Sequence, residues 1–159
     1  MRGRRLLRGL AAVERGILSG LMAGIAVTTF AQVVSRYAFG LPIQWSEEVA
    51  RFFLVWVTFI GMGTLLRVQS GHPVVDTLAQ SVPALARAVL ELASRAFVLI
   101  CCLAIVWGGF RMAVLQWRQT SPSLELSMGI VYLGIPIGGL LGVLWNLWPA
   151  RARPVDDVA

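Results

Sequence analysis

The chain has 159 residues, of which 57% are hydrophobic and only 14% charged, and its mean hydropathy is +0.75. A soluble domain carries about 25% charged residues, so this chain has too little polar side chain to clothe a water-soluble globule, and an integral membrane protein is the class that fits. The net charge of +6 comes from 14 basic residues, all arginine, at the edges of apolar runs rather than in a stripe mixed with aromatics; that excludes a nucleic-acid groove and points to topology signals and membrane lipids.

The first apolar run, 16–35, follows Arg2, Arg4, Arg5 and Arg8 and is closed by Arg36. About 20 residues span the hydrocarbon layer as a helix. The run is long for a signal-peptide core and shows no small-x-small cleavage site, so it is expected to stay as a first transmembrane helix. Gly16, Gly20, Gly24 and Thr28 recur every four residues along it. Such a stripe lets helix backbones approach closely in lipid.

A second span is expected over 48–67, where Arg51 and Arg67 can snorkel. Its helix should begin at Ser46 as N-cap, with Glu47 and Glu48 complementing the positive end of the helix dipole. Arg51 falls four residues after Glu47 and three after Glu48, within pairing distance of either.

The third span is expected over 89–110, in a helix beginning near Pro83 or Ala84. Glu91 and Arg95 have the spacing of a same-face pair. Cys101 and Cys102 are adjacent, without CxxC or metal-ligand spacing, and read as small apolar packing groups.

In the fourth span, 127–148, Pro136 predicts a kink. Trp145 and Trp148 suit the far interface. Gly138 and Gly142 repeat the small-residue spacing. The whole, 1–159, reads as one all-α domain of four transmembrane helices. With both termini on one side, that side holds Arg2, Arg4, Arg5, Arg8, Arg15, Arg67, Arg87, Arg95, Arg151 and Arg153. The other side holds Arg36, Arg51, Arg111 and Arg118. The positive-inside bias therefore makes both termini cytoplasmic.

None of the four cores carries a charge near its middle, where proton-coupled carriers and ion relays place ionisable groups. Ser19, Thr28, Thr29, Gln32, Thr58, Thr64 and Asn146 read as helix-packing or backbone-bonding residues rather than substrate ligands. The chain offers no catalytic residue, metal-ligand set or cofactor site, and no residue is identifiable as binding substrate. His72, the single histidine, lacks a nucleophile or second ligand and reads as a loop residue.

The segment 36–51 combines a turn at Gly40 and Pro42, an interfacial Trp45 and a capped helix start. It reads either as a well-built helix entrance or as a partner-binding surface. The pattern Arg36-Tyr37-x-Phe39-x-x-Pro42-x-x-Trp45-x-Glu47-Glu48-x-x-Arg51 continues through Trp56, Gly61, Gly71-His72 and Asp76. A weaker echo lies in Thr120-Ser121-Pro122 and in Tyr132 with Ile135-Pro136-Ile137-Gly138. In order and spacing these resemble the small membrane subunit, the DctQ-like small permease, of tripartite ATP-independent periplasmic (TRAP) transporters. The chain departs from that family at Leu126-Ser127, where a proline often stands, and in its arginine-only basic content.

The resemblance implies a non-enzymatic subunit in the bacterial inner membrane. It would brace a large permease during ion-gradient-driven, typically sodium-driven, uptake of an organic acid delivered by a periplasmic substrate-binding protein. Arg36, Tyr37, Trp45, Glu47, Glu48, Arg51, His72 and Asp76 would serve assembly or docking, and Gly16, Gly20, Gly24, Gly138 and Gly142 helix packing. The alternative is a self-sufficient four-helix exporter acting as a homo-oligomer. It would need a membrane-embedded carboxylate, and Glu14 and Glu91 lie toward helix ends.

Overall fold

A computed structural model describes residues 2–41, 43–68 and 83–148; His72, Asp76, Pro42 and the tail from 149 onward lie outside the described residues. The helices are α1 (Arg2–Ala38), α2 (Gln44–Val68), α3 (Ala84–Leu115), α4 (Met128–Tyr132) and α5 (Gly134–Leu147). Four segments are long and apolar enough to cross a membrane: Gly9–Ala38, Gln44–Arg67, Leu85–Leu115 and Met128–Leu147, the last built from α4 and α5 together. The fold is all-α.

α1 begins well before the apolar run. Its buried stripe, Leu7, Ala11 and Glu14, alternates by four and three residues and so stays on one helical face. The arginine-rich start thus extends the same helix. At 37 residues α1 is about 55 Å long, well beyond a hydrocarbon layer of about 30 Å. It ends where Gly40 takes a left-handed φ of 69°, a conformation without penalty only for glycine. The N–H groups of Phe39 and Leu41 both donate to the Ser35 carbonyl there.

α2 starts at Gln44, two residues before the expected cap. Ser46 does not cap it: its hydroxyl donates to the Ile43 carbonyl at 2.7 Å, and the residue is fully buried. α3 begins after Pro83 as expected. On its first turns Glu91 pairs with Arg87, at 3.0 Å, rather than with Arg95. Arg87 precedes Glu91 by one turn, and both side chains remain half-exposed.

The fourth span breaks at Leu133, one turn before Pro136. This is where a proline acts, because its ring and missing N–H disturb the carbonyl four residues earlier, here that of Tyr132. α5 packs between α2 and α3, while α1 packs along α2. A side chain on Gly138 would collide with the Phe59 carbonyl oxygen, and one on Gly63 would lie 2.8 Å from Leu141 and 3.1 Å from the Gly138 carbonyl. The α2–α5 crossing is therefore backbone against backbone, as small residues permit in lipid.

The other glycines of the expected stripes divide. A side chain on Gly142 would lie 2.8 Å from the Cys102 sulfur, and one on Gly24 would lie 2.5 Å from the Phe53 ring. Gly16 and Gly20 have nothing within 4 Å and open away from the chain's own helices. Cys102 is buried, and both cysteines are free thiols. Several polar groups close onto their own backbone: Thr28 donates to the Gly24 carbonyl and Thr58 to the Leu54 carbonyl, each at 2.7 Å. Asn146 donates to the Arg95 carbonyl at 3.0 Å.

Candidate functional site

Polar side chains gather at the two ends of the bundle. At the end away from the termini, α1 delivers Arg36 and Tyr37, and the first turns of α2 deliver Trp45, Glu47, Glu48 and Arg51. Arg36, Tyr37, Trp45, Glu47 and Arg51 are exposed and Glu48 is half-buried. Tyr37 is 82% exposed, and Phe39 and Leu41 stand open beside it. Aromatic residues at this level suit the membrane boundary or a partner.

The two carboxylates are engaged within the chain. Gln32 of α1 donates to Glu47 at 2.9 Å, which ties the end of the first helix to the start of the second. Glu48 reaches the loop between α3 and α4, where it accepts the N–H groups of Ser123 at 3.0 Å and Leu124 at 3.1 Å. Two successive N–H groups form a small nest for an anion, and Glu48 fills it. Arg51 was expected to pair with one of these carboxylates. Their donors instead come from Gln32 and the loop backbone, and Arg51 stays exposed.

That loop is itself tightly built. Thr120 and Ser127 form an isolated antiparallel bridge. Ser121 N–H donates to the Leu126 carbonyl at 2.9 Å, and Met128 N–H to Gln119 at 2.8 Å. The Ser127 hydroxyl donates to the Trp117 carbonyl at 2.6 Å. Glu125 holds a left-handed φ of 53°, uncommon for a residue with a side chain, so the turn is fixed by its surroundings.

The opposite end holds a cluster that the sequence did not single out. Glu14 is 2% exposed. Its Oε1 accepts the Trp145 indole N–H at 2.7 Å. Its Oε2 accepts the Thr64 hydroxyl at 3.3 Å and lies 3.7 Å from Arg67 Nε. The Arg67 guanidinium also sits 5.7 Å from the Trp145 ring centre, within reach of a cation–π attraction.

Two expectations are corrected here. Trp145 is fully buried rather than interfacial, because its N–H has a carboxylate partner inside the bundle. Arg67, counted among the loop arginines, is buried in the last turn of α2, with 6% of its surface exposed. The missed signal was the position of Glu14, the one acid on the four-and-three stripe that runs from Leu7. Glu14 is thus held by three partners from two other helices. Among the described residues, no group of three or more His, Cys, Asp or Glu gathers to hold a metal.

Residues 25–150 match the sequence model described as "Tripartite ATP-independent periplasmic transporters, DctQ component". A Haemophilus influenzae protein carrying a provisional TRAP small-permease name is 29% identical over 76% of this chain and 74% of its own length. The sialic acid TRAP transporter small permease protein SiaQ of Vibrio cholerae is 26% identical over 85% of this chain and 78% of its own. The isethionate TRAP transporter permease protein DctMQ of Oleidesulfovibrio alaskensis is 26% identical over 80% of this chain, but only 21% of its own length.

Proposed function

Because the chain belongs to the DctQ component family of tripartite ATP-independent periplasmic transporters, and is a multi-pass inner-membrane protein, we propose how it works within such a transporter. It braces a large permease during ion-gradient-driven uptake of an organic acid delivered by a periplasmic substrate-binding protein. The observation that carries this reading is the match to the isethionate permease protein. There, a segment similar to 80% of this chain makes up about a fifth of a much longer permease polypeptide. A segment like this chain within a longer permease polypeptide supports reading the chain as a subunit that works beside a permease.

The geometry supports a brace rather than a carrier. The spans are joined by glycine-mediated close packing and by polar fasteners at both ends. The aromatic rim of Tyr37, Phe39 and Trp45, beside the loop held by Glu48, forms a firm surface on the periplasmic side for the binding protein or the large permease. His72 and Asp76, which lie outside the described residues, are proposed to act in assembly.

The test is affinity recovery of the tagged chain from membranes in mild detergent, with its companions identified by mass. A large multi-helix permease in about equal amount is the expected result. Recovery of the chain alone, as a stable homo-oligomer, overturns the proposal.

A further inference from the structure

We infer that Glu14 is the positioning residue that sets the rotation and depth at which α1 seats against the bundle. α1 is apolar on nearly every side: Val13, Ile17, Val27, Phe30 and Val34 are exposed, while Leu7, Ala11 and Leu18 face inward. In a membrane, lipid tails receive an apolar side chain as readily as a neighbouring helix does. Hydrophobicity therefore gives α1 little reason to present one face rather than another.

Glu14 supplies that reason. Its partners come from two other helices, Thr64 and Arg67 from α2 and Trp145 from α5. A turn of α1 by one residue, about 100°, or a slide of one helical turn, about 5.4 Å, would remove the carboxylate from all three. The buried Arg67 would then lose the Glu14 carboxylate, which is unfavourable in apolar surroundings. Setting register is the best-attested use of a buried polar group.

A second tie lies on the same line. Gln32, which donates to Glu47, follows Glu14 by 18 residues, or five turns of about 3.6 residues, so both side chains leave one face of α1. The Gln32–Glu47 bond is exposed and competes with water, whereas the Glu14 cluster is buried. Glu14 therefore dominates the choice of face.

Disulfide formation in native membranes tests this, in a chain carrying Cys101→Ala and Cys102→Ala. Leu18 Cδ2 lies 3.9 Å from where a Gly61 side chain would begin. Leu18→Cys with Gly61→Cys reports the native face, and Ile17→Cys with Gly61→Cys reports a helix turned by one residue. With Glu14 present, the first pair should cross-link in large excess over the second.

Glu14→Ala should lower that ratio at least about threefold, and Trp145→Phe, which removes the indole N–H and shortens the ring but leaves Thr64 and Arg67 on the carboxylate, should lower it less. Glu14→Asp should restore part of the loss. An unchanged ratio in Glu14→Ala overturns the inference. If that variant does not accumulate, Glu14→Gln and Trp145→Phe decide in the same way, and an unchanged ratio in both overturns it. The measurement needs no large permease, so its outcome is independent of the affinity recovery described above.

Discussion

Glycine serves two opposite purposes at four-residue spacing in this chain. Gly138 lies on the Phe59 backbone, whereas a side chain on Gly16 or Gly20 would meet nothing within 4 Å among the described residues. Gly138→Ala should therefore lower the stability of the purified chain by about 1–3 kcal/mol, the usual cost of overpacking. Gly16→Ala should change it by less than about 0.5 kcal/mol. Thermal unfolding in detergent checks both, and equal midpoints for the two variants would refute the distinction. The spacing of small residues was legible in the sequence, but which stripe turns inward was not, because an apolar helix in lipid gives the same pattern on both faces. Gly63 was missed for a related reason: its role depends on α5 crossing there, a tertiary fact with no local signature. Glu14 looked like a helix-end acid because α1 was expected to begin at residue 16. Once the helix starts at Arg2, Glu14 lies a full three turns inside it.

At the scale of elements, the loop between α3 and α4 owes its shape to a residue 75 positions away in sequence, since Glu48 holds the Ser123 N–H. Glu48→Ala removes the acceptor for two backbone donors. Amide hydrogen exchange across 121–126 should then rise by roughly tenfold or more. Glu47→Ala should leave that loop unchanged, because its own partner is Gln32. Unaltered protection in Glu48→Ala would show that the bridge and turn hold the loop without help. Reversing both charges, Glu47→Lys with Glu48→Lys, should impair uptake while the chain still inserts, and wild-type uptake would dismiss the periplasmic surface as a working part. The helix count, the start of α3 near Pro83 and the break near Pro136 followed from apolar length and proline chemistry. The carboxylate partners did not, because one-turn spacing proposes Arg51 and says nothing of backbone donors from a distant loop.

For the whole molecule, the glycine stripe expected to pack helices is open at Gly16 and Gly20 on the outward face of α1, so close packing there would be against the proposed larger companion. Gly20→Leu adds bulk where the chain itself has open space. It should leave the thermal midpoint of the isolated chain within about 0.5 kcal/mol of the original, yet reduce recovery of the large permease several-fold. Unchanged recovery would move the contact to another face.

α2 links the two ends of the bundle. This helix is fastened near its first turn through Glu47 and Glu48, and near its last through Thr64 and Arg67. A rod held at both ends neither slides nor twists on its own. A load placed on the 116–127 loop would press, through Glu48, on the same helix that grips α1 and α5 at the far end. Such a load would displace α2 together with α1 and α5 rather than bend one helix alone.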